Sequence, residues 1–199
     1  MSALTFPDAH DGADADALSS LHARLTAAAD RDGLLDIAYR TVDTPVGRLM
    51  LAATEAGLVR VAYAREDHDA VLAMLAEQVS PRILEAPARL DDAARQLDEY
   101  FSRRRTRFDV PLDLRLSRGF RRSVLTHLPD IAYGRTASYA QIAEAAGSPR
   151  AVRAVGTACA TNPLPLFVPC HRVVRSDGSM GQYAGGAETK RTLLTLEAA

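Results

Sequence analysis

From Ile37 to Tyr63 the chain reads IAYRTVDTPVGRLMLAATEAGLVRVAY, three β-rich runs broken only at Thr44-Pro45-Val46-Gly47 and Glu55-Ala56-Gly57. Breaks this short leave room for a turn and little else, so the runs are expected to fold back on one another as an antiparallel meander. A sheet of this kind needs cover, and two segments with helical periodicity follow it. Residues 67–79 place Val71, Leu72, Leu75 and Val79 on one face, and residues 89–101 turn Leu90, Leu97 and Phe101 inward. Residues 37–113 are thus expected to form an N-terminal α/β domain. Arg103, Arg104, Arg105 and Arg107 follow the second helix, and they read as a solvated helix end at least as well as a DNA contact.

Residues 114–199 have a different texture. A helix is expected over 118–128, with Phe120, Val124, Leu125 and Leu128 on its apolar face, stopped by Pro129-Asp130. Then comes ASYAQIAEAAGSPRAVRAVGTACATNPLP. Ser138 and Gln141 form a capping-box pair that starts a helix running to Ala146. Gly147 supplies a turn, Ser148 and Pro149 suit the start of a second helix, and small residues carry that helix to about Thr161. Two short helices on a glycine-containing turn make a helix-turn-helix. The second of them has almost no bulky side chain, and its only charges are Arg150 and Arg153. Such a helix fits a nucleic-acid groove and a tightly packed core equally well.

Residues 1–36 are acidic, rich in alanine and short of aromatics. Leu18, Leu21 and Leu25 keep helical spacing, with Asp16 as a cap and Gly33 as a terminator, so this leader reads as a flexible tail holding a short amphipathic helix. It has no apolar h-region, and no run in the chain approaches a membrane span. With two cysteines and no CxxC or CxxH group, the expectation is a reduced, cytoplasmic protein without a Cys-rich zinc knuckle. The net charge of −1 conceals an asymmetry: residues 1–100 carry 9 Lys/Arg against 18 Asp/Glu, and residues 101–199 carry 15 against 7. A basic C-terminal half can meet a polyanion, or the two halves can simply attract each other.

Near the C-terminal end stands FVPCHRVVRSDG, with Cys170 and His171 adjacent. A free thiol titrates near ~8.5, so only a few per cent is thiolate at neutral pH unless a base or a cation assists it. Neighbouring side chains usually point apart, which favours a water between His171 and the sulfur. A histidine in this role needs a carboxylate behind it, and Asp177, Glu188 and Glu197 are the downstream candidates. By position alone Glu197 reads as an exposed helix-end residue. Asn162-Pro-Leu-Pro165 forces an extended approach, Leu166-Phe-Val168 reads as a buried strand delivering the cysteine, and Gly181–Gly186 is a glycine-rich loop with Tyr183 on its wall.

These residues carry a resemblance. NPLPLFV-PCHRVV-GQYAGG resembles the active-site segment of the O6-alkylguanine-DNA alkyltransferases, and YGRTASYAQIAEAAGSPRAVRAVG resembles their helix-turn-helix. Residues 118–199 match densely, and the segment from Ile37 more loosely. The resemblance implies an α+β fold, with a ribonuclease H-like N-terminal domain and a C-terminal domain bearing a winged helix-turn-helix. It also implies a single-turnover DNA repair reaction on duplex DNA containing O6-alkylguanine, extending to O4-methylthymine, with no cofactor and no metal. Under it Cys170 is the alkyl acceptor, His171 the base acting through water, and Glu197 the residue that orients the histidine. Tyr139 donates a proton toward N3 of the leaving guanine, and Asn162 braces the loop. Arg153 fills the space left by the flipped base, while Arg150, Arg135, Ala151 and Gly156 complete the DNA-binding face. Pro165, Val173 and Tyr183 line the base pocket, and the backbone amide of Ala184 faces O6. A monomer that can assemble cooperatively along DNA is the implied partner state.

The sequence departs from the pattern in three places. Ala184 stands where some members have serine, Cys159 stands on the second helix where an apolar residue is expected, and the leader has no counterpart. Cys159 reads as a small buried residue more readily than as a second modifiable thiol. Of the rival functions, a lesion-binding module of alkyltransferase-like type lacks the acceptor cysteine. A helix-turn-helix regulator using Cys170 as an alkylation sensor needs a sensory domain, and a cysteine hydrolase needs a means of turnover.

Overall fold

The computed structural model describes residues 11–198. A helix, α1 (Asp11–Arg31), precedes a four-stranded sheet made of β1 (Ile37–Val42), β2 (Leu49–Thr54), β3 (Gly57–Tyr63) and β4 (Ile83–Glu85), in the order β3-β2-β1-β4. The expected meander is present, β1 pairing with β2 and β2 with β3 in antiparallel register. The sheet as a whole is mixed, because β4, drawn from the proline-flanked stretch before Pro87, pairs with β1 in parallel. Its three residues are too few to show a period, and the pairing is set by a partner far away in sequence.

Strand β2 is buried along its whole length, since the sheet is covered on both faces. Met50 and Ala52 meet Val71 and Leu75 of α2 (His68–Gln78) in one cluster. Leu49, Leu51 and Ala53 meet Ala93, Leu97 and Tyr100 of α3 (Asp91–Phe101) in the other. This second cluster continues without a break into the C-terminal half, reaching Val124, Leu125, Val155 and Cys170. One apolar body therefore supports both halves, and side chains of α3 can reach the cysteine loop.

The C-terminal half contains α4 (Gly119–His127), β5 (Ala137–Ser138), α5 (Tyr139–Ala145), α6 (Val152–Ala160), β6 (Val173–Val174) and α7 (Ala187–Ala198). The capping box at α5 forms as expected: Gln141 N–H donates to Ser138 Oγ at 3.2 Å and Ser138 N–H to Gln141 Oε1 at 2.7 Å. Gly147, at φ 73°, makes the turn, and the wing is a two-residue parallel ladder between β5 and β6.

Three expectations need correction. Helix α6 starts at Val152 rather than at Pro149, because Ala151 N–H bonds back to Ser148 O at 2.9 Å and closes a turn first. Leu166-Phe-Val168 is a tight turn and not a strand, closed by Val168 N–H on Leu164 O at 2.8 Å with Leu166 at φ 76°. Asp16 lies inside α1 instead of capping it. The sequence left open whether the leader docks, and the structure docks α1 by its polar side rather than by its leucines. Leu18, Leu21 and Leu25 are 67%, 56% and 55% exposed, while His22 Nε2 and Thr26 Oγ1 reach Glu85 O on the edge strand at 2.6 and 3.5 Å. No helix among the described residues is long and apolar enough to cross a membrane.

Candidate active site and nucleic-acid interface

The loop after α6 is built around Asn162. Its Nδ2 donates to Val168 O at 2.8 Å and to Cys170 Sγ at 3.1 Å, while its Oδ1 accepts from Leu164 N–H at 3.0 Å. One buried amide thus shapes the turn and touches the sulfur. Leu166 holds a left-handed conformation that a branched side chain avoids unless its surroundings impose it. Strand β3 supplies part of that restraint: Val61 N–H and Arg60 Nη1 both donate to Pro163 O, at 2.8 and 3.3 Å. Cys170 is 1% exposed, and burial pushes its thiol up to about 11 against the pull of the Asn162 hydrogen bond and the Lys190 charge. At neutral pH the resting sulfur is therefore a protonated thiol, and ionising it requires a base.

Behind the cysteine, Glu197 collects the polar groups of the site. Its Oε1 lies 2.8 Å from His171 Nε2, and it accepts from Tyr100 OH at 2.7 Å and from Arg172 Nη2 at 3.0 Å. Its Oε2 accepts from Arg172 Nε at 2.9 Å and from Gly134 N–H at 3.3 Å. Burial raises the Glu197 carboxyl, but the hydrogen bonds from His171 and Arg172 outweigh it and hold the group at about 2. His171 is fully buried, and desolvation lowers its pKa despite Glu197, so the resting ring is neutral. A carboxylate facing Nε2 requires the proton there, which leaves the basic lone pair on Nδ1. Nδ1 is buried and has no protein hydrogen-bond partner among the described residues, and no hydrogen bond joins the ring to the sulfur. A base of fixed tautomer next to a neutral thiol can take the thiol proton once a path for it exists.

The remaining expected residues form two groups. Tyr139, at the start of α5, is half-buried, and its hydroxyl lies against Gly181 where any side chain would collide with it. Burial raises its pKa, so it stays a neutral donor. Pro165 and Val173 are buried, Ala184 is half-buried, and Tyr183 stands edge-on to His171 with centroids 6.2 Å apart. Arg135, Arg150 and Arg153 are exposed, Ala151 is the N-cap of α6, and Gly156 faces open space. Among the described residues, none of these three arginine side chains has a hydrogen-bond or ion-pair partner.

The sequence reading missed Arg172, Tyr100, Lys190 and Tyr63. Lys190 is fully buried and donates from Nζ to Val173 O at 2.6 Å. A signal for it existed, since Lys190, Leu193 and Glu197 share the inward face of α7 at helical spacing. Tyr100 sits one turn beyond Leu97 on the inward face of α3. Nothing in the pattern singles out Tyr63 at the end of a strand.

Comparison with known proteins places the chain in a family. Two family models match the chain: the ribonuclease-like domain of 6-O-methylguanine DNA methyltransferase over residues 37–114, and the DNA binding domain of the same enzyme over residues 119–199. The methylated-DNA–protein-cysteine methyltransferase of Mycolicibacterium paratuberculosis is 41% identical over 167 residues, covering 81% of this chain and 92% of that protein. The bifunctional transcriptional activator/DNA repair enzyme Ada of Escherichia coli is 42% identical over 132 residues, 65% of this chain and 37% of that protein. Among solved structures, Mycobacterium tuberculosis OGT in complex with DNA superposes with a TM-score of 0.70 at 40% identity, covering 81% of this chain and 92% of that one.

Proposed function

The chain belongs to the 6-O-methylguanine DNA methyltransferase family, and from that premise we propose that Cys170 is the residue that takes the alkyl group in its DNA repair reaction. The family activity is direct reversal: an alkyl group leaves O6 of guanine in DNA and is bound irreversibly by a cysteine of the protein. The observation that carries the assignment of Cys170 is the pairing of two contacts on adjacent residues, Asn162 on the Cys170 sulfur and Glu197 on the His171 ring, set directly behind a helix-turn-helix whose outer arginines have no partner among the described residues.

The residues divide the reaction as follows. Glu197 fixes His171 with its proton on Nε2, and Nδ1 accepts the thiol proton, through a water where the two do not touch. The sulfur attacks the alkyl carbon, a C–S bond forms, and the C–O6 bond breaks with its electron pair passing into the purine. Tyr139 donates a proton toward N3, so the guanine leaves neutral. The thioether does not hydrolyse, and one protein therefore serves one lesion. Glu197, its charge already offset by Arg172 and its oxygens shared with the Tyr100 and Gly134 donors, can stabilise the imidazolium only in part. Together with the raised thiol, this leaves the resting site weakly reactive until a lesion is bound.

Extruding a base costs on the order of a few kcal/mol, less for a damaged pair, and Arg153 is placed to occupy the gap. Arg150 and Arg135 meet phosphates, which position the protein without reading sequence. Ala151 and Gly156 allow close backbone approach. Pro165, Val173, Tyr183 and the backbone of Ala184 enclose the base. The protein acts as a monomer on duplex DNA, with neighbouring copies free to assemble along it, in a cytoplasmic compartment that keeps Cys170 reduced.

The test is a duplex carrying one O6-methylguanine, followed by intact-mass measurement and peptide mapping. A single methyl on the Cys170 peptide, lost in Cys170→Ala, supports the proposal. Absence of transfer, or transfer mapped to Cys159, overturns it.

A further inference from the structure

The loop Gly181–Gly186, which carries Tyr183, is pressed between two tyrosine rings from different halves of the molecule. At one end a side chain on Gly181 would strike the Tyr139 hydroxyl. At the other, a side chain on Gly185 would lie 2.8 Å from Tyr63 Cζ and 2.8 Å from Thr189 Cγ2. Tyr63 closes strand β3, and its hydroxyl is 2.7 Å from that of Tyr183, with the rings edge to face at 5.8 Å. The two residues are 3% and 7% exposed. Burial drives both phenols well above their ordinary pKa, so the link is a hydrogen bond between neutral hydroxyls.

Tyr63 is itself held in place. Its N–H donates to Glu66 Oε1 at 2.9 Å, and the same Glu66 carboxylate binds the Arg60 guanidinium, which donates in turn to Pro163 O. The cluster that fixes Tyr63 therefore also grips the loop leading to Cys170. We infer that Tyr63, a residue of the sheet half, is a positioning residue for lesion capture that acts through Tyr183. The inference rests on the reading of Tyr183 as a wall of the base pocket. Without the Tyr63 hydroxyl the Tyr183 ring loses its only side-chain hydrogen bond among the described residues, and the flipped base meets a loosened wall. Capture should suffer more than chemistry, because Cys170, His171 and Glu197 keep their own bonds.

Single-turnover methyl transfer to Cys170 across a range of O6-methylguanine duplex concentrations tests this with Tyr63→Phe, Tyr183→Phe and the double variant. Tyr63→Phe should raise the half-saturating duplex concentration by about 5-fold, the scale of one neutral hydrogen bond. Its limiting rate should stay within roughly 2-fold. Because both single changes break one shared bond, the double variant should be no worse than either single. It should also recover melting temperature that the singles lose by leaving one buried hydroxyl without a partner. An unchanged half-saturation in Tyr63→Phe, a double variant that multiplies the two single effects, or a fall confined to the limiting rate would overturn the inference. Transfer by the unaltered protein in the same assay separates the two levels: its absence removes the underlying reading as well, while its presence beside an unaffected Tyr63→Phe removes only the role of Tyr63.

Discussion

Arg40, Arg60, Arg82, Arg89 and Arg105 each lie against a carboxylate of the sheet half, whereas Arg135, Arg150 and Arg153, around the helix-turn-helix, reach none among the described residues. The acidic and basic halves of the sequence therefore do not simply neutralise each other. Of the basic excess beyond residue 100, Arg104 and Arg105 are taken up by Asp98 and Glu99 of α3, whereas the three outer arginines, without a partner among the described residues, are the ones proposed to meet phosphate. A third class lies inside: Arg172 is buried and locked to Glu197, where it serves the site and is closed to DNA. The same residue type does three jobs, set by burial and by the presence of a carboxylate.

Substitutions can break or sharpen this contrast. Glu197→Ala should have the largest effect, since it strands a buried guanidinium; the expected loss is about 3–5 kcal/mol, read from the denaturant midpoint, together with loss of transfer. The same cluster should have a pH signature in equilibrium unfolding. Folding lowers the His171 pKa, so the unfolded chain takes up the proton first and stability falls as pH drops below the ordinary value of 6.5. Glu197 contributes stability that is complete above its ordinary 4.5 and is lost as pH falls toward about 2. A flat stability profile between neutral pH and pH 3 would contradict this account of the cluster.

Arg153→Ala should come next, slowing repair of duplex DNA by roughly 10-fold or more while leaving reaction with free O6-benzylguanine within about 2-fold, because only the duplex requires extrusion. Equal loss on both substrates would remove Arg153 from its assigned role. Arg150→Ala should weaken duplex binding a few-fold and reduce the salt dependence of the affinity by about one unit of slope. Arg82→Ala, which opens a solvent-screened pair with Asp36, should leave both the stability and the salt slope nearly unchanged. A shift in slope for Arg82→Ala would mean that the sheet half also meets DNA.

The meander and the helix-turn-helix were legible because their signals are local: β-rich runs between short breaks, a capping box, and a glycine at a left-handed turn. Strand β4 was not, since three residues cannot show a period and their pairing depends on β1. Leucine spacing in α1 correctly signalled a helix but not what it packs against. The exposed edge of β4 takes the polar side of α1, and the leucines stay in solvent. Leu166-Phe-Val168 looked like a strand because buried turns and buried strands are equally apolar. Cys170, His171 and Asn162 stood out by the order of their motifs. Glu197 alone looked exposed, and its 4% exposure follows from donors on α3 and on the cysteine loop that no local pattern links to it.

The burial of Cys170 has a consequence after the chemistry is over. A sulfur that is 1% exposed and already bonded by the Asn162 amide acquires an extra carbon, and only a proton leaves to make room on the protein side. Overfilling a packed interior by a methyl-sized group typically costs about 1–3 kcal/mol. The alkylated chain should therefore melt at a lower temperature and be cut faster by protease than the unreacted one, which paired melting and limited-proteolysis measurements would show. A repair event would then leave two records: a restored base in the DNA and a protein molecule shortened in lifetime by the adduct it keeps.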